Sequence, residues 1–298
     1  MARRRKPLRV SLVGPGAVGT TLAVLLRRRG HRISTVIGRR LVNASRCAKL
    51  VRCNHVSTRV ADISPDTQLL VIATSDESVR SVSEGISRLR HLDLRYLIAF
   101  HTSGVLTSDE LRALRAKGVT TLSIHPLQTF PKGIPLETRV AAMEGVSYGV
   151  EGPPRALRFA RALVAELGGR TVVIPKKEKI LYHVAGVIAS NYVVVLLGAV
   201  EELLNPLIGS AGLRHFRVLI DTSIRNAFRV SPRDALTGPI VRGSSAVVAR
   251  HLRALRGRRD LRALYRALGL YAIGLARKNR SLTDRQAREL RRILSKTG

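Results

Sequence analysis

With 298 residues, 45% of them hydrophobic, the chain is long enough for two domains and apolar enough to bury a sizeable core, which excludes a disordered or fibrous protein. Trp is absent and aromatic residues make up only 4%, so that core is built from Val, Leu, Ile and Ala. The formal net charge of +32 comes mostly from arginines spread from Arg27 to Arg292, without a lysine-rich tail or aromatics interleaved for base stacking; it implies salt-sensitive polyanion binding and no specific nucleic-acid partner.

The start, MARRRKPLRVSLVG, imitates a secretion signal. Gly-Pro-Gly at 14–16 splits its apolar run and no small-residue cleavage site precedes Arg27, so it is read as part of a folded, cytoplasmic protein. Residues 9–30 give a strand, a glycine turn and a helix, with Gly14-Pro15-Gly16-Ala17-Val18-Gly19 supplying G-x-G-x-x-G. Gly14 permits the tight turn, the missing Cβ of Gly16 lets backbone N–H groups approach a pyrophosphate, and Gly19 lets the helix pack on its strand. The helix N-terminus then faces the phosphates, with Ala17 and Val18 among the cofactor-binding residues.

A second strand over 32–37 ends at Gly38-Arg39-Arg40. An acid at this distance from the glycine turn binds a ribose 2′-OH, whereas Arg suits a 2′-phosphate, so Arg39 and Arg40 favour NADP(H). Helix 41–51 follows. Cys47 and Cys53 lack C-x-x-C spacing or a His cluster, which points to reduced thiols and to neither a disulfide nor a metal site. After a weak strand at 55–58, residues 68–73 form a buried parallel strand that delivers Thr74 and Ser75 to the cofactor edge. Asp76 is open to a second role as helix N-cap.

Strand 95–100 runs into His101-Thr102-Ser103-Gly104, and strand 120–124 into His125-Pro126-Leu127-Gln128, with a capped helix over 108–117 between them. Each histidine has two open readings, a backbone-bonded structural group or a contact to substrate. Strands over 145–150 and 170–174 flank helix 154–167. Beyond Pro175 the pattern is helical only, broken at Asn205-Pro206, 209–212, Ser231-Pro232, Gly238-Pro239, Gly257 and Leu282-Thr283. The expected architecture is an α/β Rossmann domain over 1–175, a doubly wound and mostly parallel sheet, followed by an all-helical domain over 176–298.

In the first long helix of that second domain, Lys179 and His183 share a face, Ser190 lies within about 20° of His183, and Asn191 is on the flank. The bland alternative places Lys179 in a solvated charge run and Asn191 in helix packing. The apolar stretch 184–200 resembles a membrane span, but it is short, carries Ser190 and Asn191, and runs into Glu201-Glu202. It reads instead as a helix buried between domains or subunits and suggests a homodimer through the helical domain. A glycine-flanked turn over 236–243 holds Arg242, and helices 246–255, 260–278 and 283–296 complete the chain.

GPGAVG, HTSG at 101–104, HPLQTF at 125–130, YHVAGVIASNY at 182–192 and LTGPIVRG at 236–243 together resemble an uncharacterised bacterial family in which a Rossmann-like NADP-binding domain precedes a helical domain of unknown function. The layout is more distantly similar to ketopantoate reductase, pyrroline-5-carboxylate reductase and the 6-phosphogluconate and 3-hydroxyacid dehydrogenases. That resemblance implies a 6-phosphogluconate dehydrogenase-like C-terminal domain and a catalytic Lys on its first helix, often followed four residues later by Asn. Lys179 matches the Lys, but His183 stands where the Asn would be, and Ser244 follows the Arg-Gly of the last motif in place of an acid.

These features imply an NADP(H)-dependent oxidoreductase acting on a small carbonyl, imine or hydroxy compound in an interdomain cleft. Lys179, His183 or His125 handles the proton, and Ser103, His125 and Asn191 orient substrate. The alternative is a non-catalytic NADP(H)-binding regulator.

Overall fold

A computed structural model describes residues 6–209 and 211–296; the basic start at 1–5 and Ser210, within the expected break at 209–212, lie outside them. The first unit holds strands β1 (Arg9–Val13), β2 (Arg32–Ile37), β3 (Val56–Ser57), β4 (Leu69–Ile72), β5 (Ile98–His101), β6 (Thr120–Pro126), β7 (Ser147–Glu151) and β8 (Arg170–Val173). They form one sheet in the order β3-β2-β1-β4-β5-β6-β7-β8. Every pairing is parallel except β6 with β7, which is antiparallel. Helices α1 (Ala17–Arg28), α2 (Leu41–Val51), α3 (Asp76–Ser87), α4 (Arg112–Arg115), α5 (Leu136–Ala141), α6 (Pro154–Glu166) and α7 (Lys179–Ala189) complete it.

The alternation of side chains along each strand feeds two cores, one on each face. On β4, Leu69 and Val71 join the cluster that includes Leu22, Leu26, Ala44 and Leu163 from α1, α2 and α6. Leu70 and Ile72 join the opposite cluster, with Val79 and Ile86 of α3 and Leu114 of α4. A continuous apolar run is what a strand covered on both faces requires, which is why QLLVIA was readable.

Register aligns one row across the sheet. Val13 pairs with Ile72, Ile72 with His101, His101 with Ser123, and Ser123 with Glu151. The glycine turn leaves β1 at one end of this row, and β6 stands three strand spacings away, about 14 Å.

Several boundaries differ from the sequence reading. The expected helix 108–117 is a 3₁₀ turn, Ser108–Leu111, followed by the single turn of α4. The helix expected to run unbroken through 184–200 ends at Ser190, whose backbone leaves helical geometry (φ −123°, ψ −70°) and whose hydroxyl joins its amide in donating to the Gly186 carbonyl. Strand content ends at Val173, yet the chain divides into compact units at Met1–Asn191 and Tyr192–Gly298 and not at 175, because α7 packs with the sheet through Lys179 and Tyr182.

The second unit contains α8 (Asn191–Ile208, most of which lies in it), α9 (Gly212–His215), α10 (Arg217–Val230), α11 (Pro232–Ala235), α12 (Ser245–Ala254), α13 (Arg259–Lys278) and α14 (Asp284–Ser295). Its core joins Val248 and Leu252 of α12, Ile273 and Ala276 of α13, and Leu290 and Leu294 of α14. Thr283 and Gln286 close a capping box at the start of α14. By contrast α10 buries no residue, Phe228 on it is 90% exposed, and α8 buries only Leu204. The helical run Lys176–Ile208 is long and apolar enough to cross a membrane by length and composition, and none of its most apolar window is buried within the chain. It is interrupted at Ser190 and carries Pro206.

Candidate active site

The glycine turn is shaped as a phosphate cradle. Gly14 has φ +96°, and a methyl group there would lie 2.5 Å from the Ala73 carbonyl oxygen. Gly19 lies so close to the Gly14 carbonyl that no side chain fits. Around Gly16, in contrast, the space where a side chain would stand is open. Gly16 caps α1 without a side-chain bond and no acid occupies the first turn, so the amides of that turn remain available to an anion. Gly14 and Gly16 line a cavity of about 750 Å³ together with Arg39, Arg40, Asn43, Thr74 and Ser75. None of its lining residues is Asp or Glu. The residues present therefore fit a dinucleotide bearing a 2′-phosphate.

At the far end of the same row lies a buried polar cluster. Lys179, only 1% exposed, donates from Nζ to Ser123 Oγ at 2.6 Å, and Ser123 donates onward to the Ser103 carbonyl at 3.2 Å. The cross-strand partner of Ser123, Glu151, is 4% exposed and accepts from the Ser108 amide at 2.5 Å and the Ser108 hydroxyl at 3.0 Å. Two pairs further along the ladder, and so on the same face, His125 stands opposite Gly149. Tyr182, three residues beyond Lys179, lies over Gly149 and hydrogen-bonds His125 Nδ1 at 2.9 Å. Thus one face of α7 docks on two successive same-face pairs of the antiparallel ladder.

Gly104 completes the cluster. A methyl group there would lie 2.7 Å from His183 Nδ1 and 2.9 Å from His125 Nε2, so both imidazoles close over the space that a side chain at 104 would fill. Burial, reinforced by the charge of Lys179, pushes His125 down to about 4 and keeps it neutral. Burial lifts the Tyr182 phenol to about 12, with a backbone hydrogen bond at Gly149 opposing. A neutral phenol can donate to Nδ1 and leave Nε2–H as a donor beside Gly104. Lys179 is brought down to about 8 by burial, with the Glu151 carboxylate opposing.

Two family models match this chain, a Rossmann-like domain over residues 2–126 and a domain of unknown function (DUF2520) over residues 146–272. It is a Rossmann-like domain followed by a DUF2520 domain. The resemblance carried by the motifs therefore holds, and the DUF2520 match contains Glu151, Lys179 and Tyr182. No curated protein matches the sequence significantly. Among solved structures, it is similar to a candidate NADP oxidoreductase of Bacteroides fragilis (23% identity, TM-score 0.73, covering 89% of this chain and 98% of that one). It is also similar to an imine reductase of Myxococcus stipitatus in complex with NADP+ (16%, 0.64, 96% and 100%). A pyrroline-5-carboxylate reductase of Coxiella burnetii aligns over 98% of this chain and 100% of its own, at 14% identity and a TM-score of 0.55. At such identities the likeness is one of fold.

Within the Rossmann-like domain, Gly14, Gly16, Arg39, Arg40, Thr74 and Ser75 are gathered at one cavity, whereas Ala17, Val18 and Gly19 are not among its lining residues and form the first turn of α1. Asn43, Thr58 and Ser78 also line it and were not singled out from sequence. Ser75, not Asp76, is the N-cap of α3.

Lys179, His183 and His125 are brought together. Ser103 is adjacent, and its hydroxyl accepts from the amides of Val105 and Leu106, a turn-forming role. Asn191 is exposed and, among the described residues, its side-chain partner is Ser190, so it does not join the cluster. His101 is fully buried, with Nδ1 accepting from the Ser103 amide and Nε2 on the Thr107 carbonyl, so of its two readings the structural one applies. Cys47 and Cys53 are free and buried, and burial raises the Cys47 thiol to about 11, which keeps it inert. Ser123, Glu151, Tyr182 and Gly104 were missed; only their S-x-H and G-x-E spacing across an antiparallel pair could have signalled them.

Proposed function

We propose that this protein is an NADP(H)-dependent oxidoreductase that transfers hydride to or from a small carbonyl, imine or hydroxy compound. The observation that carries this reading is the buried Lys179 on Ser123, in the same sheet row as the cavity built on Gly14 and Gly16. The nicotinamide coenzyme, when bound, supplies or accepts the hydride. Gly14, Gly16 and the first amides of α1 hold its diphosphate, and Arg39 and Arg40 pair with its 2′-phosphate. Lys179 holds the proton that the substrate heteroatom gains, its position near 8 leaving it charged at neutral pH yet able to release it. His125, neutral, orients the same heteroatom as a hydrogen-bond donor through Nε2, and His183 faces it across Gly104.

The imine reductase and pyrroline-5-carboxylate reductase among the similar folds favour a C=N substrate over C=O. Absorbance at the reduced-nicotinamide band, followed with a panel of cyclic imines and small ketones, tests the reading. Oxidation of NADPH with any of them supports it. Tight NADPH binding without turnover by the whole panel would support the regulator instead.

The helical unit acts as a dimerisation element in a cytoplasmic protein. The support is α10, which alternates apolar residues such as Leu219, Ile224 and Phe228 with arginines yet buries none of them in its own chain. A second copy of this chain covers that face and the apolar run of α8.

A further inference from the structure

Lys179 is an ammonium removed from water, and such a group needs a counter-charge. Its one hydrogen-bond partner among the described residues, Ser123 Oγ, is neutral and directs its own proton to Ser103, so it accepts without compensating charge. The titratable groups around it come from three strands and its own helix. His101 on β5 and His125 on β6 are imidazoles, and Tyr182 on α7 is a phenol; His183 on α7 is a further imidazole. None of these is an anion near neutral pH. Among the described residues Glu178, the residue before, makes no ion pair with it, and Asp109 is taken by Lys176 and Arg115.

Glu110, which like Asp76 bears on His101, is taken by Arg80, and the carboxylate whose charge bears on Lys179 is Glu151. It faces Ser123 directly across the antiparallel pair, which sets the two Cβ atoms about 5 Å apart on the same side of the sheet. Two bonds from Ser108 fix its carboxylate there. Ser108 in turn is held by the Thr107-capped turn that follows β5.

We propose that Glu151 is a positioning residue that keeps the buried Lys179 side chain charged and ready to donate its proton, acting across the Ser123 hydroxyl that both residues flank. Its opposing influence on Lys179 is consistent with that placement. The antiparallel register of β6 and β7 sets Glu151, the last residue of β7, beside Ser123 and level with the carboxyl ends of β1, β4 and β5. Serine at 108 is needed because it offers two donors to one carboxylate; Ser108→Ala would leave only the amide.

The catalytic consequence rests on the oxidoreductase reading, but the charge pairing does not, and the experiment separates them. Full-length protein carrying [ε-13C]lysine is titrated by NMR, the Lys179 signal being assigned by its loss in Lys179→Met. In Glu151→Gln the midpoint of Lys179 falls by about one pH unit or more, while Glu151→Asp stays closer to the wild-type value. An unchanged midpoint in folded Glu151→Gln overturns the proposal, as does an equal shift in both variants. Should Glu151→Gln not fold, the reciprocal shift is read in Lys179→Met: with [δ-13C]glutamate, the Glu151 carboxyl titrates at a higher pH than in the wild type, by linkage, and its failure to do so overturns the proposal equally. If NADPH turnover is found, the alkaline limb of kcat/KM moves down with the NMR midpoint; if no turnover is found but the midpoint shifts, the pairing stands and the oxidoreductase reading fails.

Discussion

Tyr182 occupies the space that a side chain at Gly149 would fill, so the glycine on β7 and the tyrosine on α7 form a matched pair. The phenol reaches His125 only because the strand beneath it is bare. Gly149→Ala is therefore expected to displace Tyr182 and lower stability by about 1–3 kcal/mol, the usual penalty for overpacking. Tyr182→Phe keeps the ring but leaves His125 Nδ1 without its partner, at about 1–3 kcal/mol for an unsatisfied buried group. Thermal unfolding of the two variants checks both, and a Gly149→Ala protein as stable as wild type would contradict the packing described.

The glycine turn separates folding from binding. Gly16→Ala enters open space and should leave the melting temperature unchanged while weakening NADPH binding, since the methyl group stands where phosphate approaches. Gly19→Ala meets the Gly14 carbonyl and should destabilise the domain whether or not coenzyme is present. Melting curves with and without NADPH distinguish these outcomes.

Arg39 and Arg40 line the cavity at the glycine turn, and on the proposed function they set coenzyme choice. Replacing both by Ala should weaken NADPH about 10- to 100-fold, the loss of one or two charge-assisted bonds, and leave NADH nearly unaffected. Fluorescence titration with each coenzyme measures the ratio; equal losses for the two would place the 2′-phosphate elsewhere.

Burial of Lys179 makes stability, and on the oxidoreductase reading activity as well, depend on pH. The group is lowered from 10.5 to about 8 in the folded chain. Below pH 8 both states carry the proton; between 8 and 10.5 the unfolded chain binds more, so this group's contribution to unfolding free energy rises with pH across that window. The gain is on the order of 3 kcal/mol and is read as the difference between wild type and Lys179→Met in denaturant titrations at pH 7 and pH 10. In the reductive direction activity should fall as pH passes about 8, where the proton is lost, and Lys179→Met should lower kcat about 10²- to 10⁴-fold.

Phe228 is the most exposed large apolar side chain of α10. Phe228→Glu should shift the protein from dimer to monomer in light scattering without disturbing the core of α12 to α14, because it takes no part in that core. A wild-type monomer at micromolar concentration would remove the dimer reading.

The sequence made the first half of this fold legible because parallel strands covered on both faces have unbroken apolar runs and because glycines mark the turn that follows β1. Strand β2 and helix α2 fall where the pattern places them, and so does the cavity edge at Thr74 and Ser75. What it did not disclose was direction. Nothing in 145–150 distinguishes a reversed strand from a parallel one, since both are buried Val-rich segments, and with that direction unknown Glu151 could not be set beside Ser123. The helical periodicity of 179–200 likewise ran through Ser190, where a side chain bonding back to Gly186 competes with the helix. Ser103 and Asn191 show the same limit: a serine after a strand reads alike whether or not its hydroxyl bonds the amides two and three residues on, and an asparagine on a helical pattern reads alike whether it faces a site or, as here, its neighbour Ser190.

The ladder on which α7 rests also leaves a trace that can be looked for elsewhere. The residues involved reduce to three short fragments in fixed order: serine and histidine two apart at 123 and 125, glycine and glutamate two apart at 149 and 151, lysine and tyrosine three apart at 179 and 182. A one-residue insertion between the paired residues of either strand would turn one of the two to the opposite side of the sheet, whereas changes of length between the fragments leave their internal spacing intact. Chains too diverged for alignment can therefore be sorted by whether these six letters keep their internal spacing.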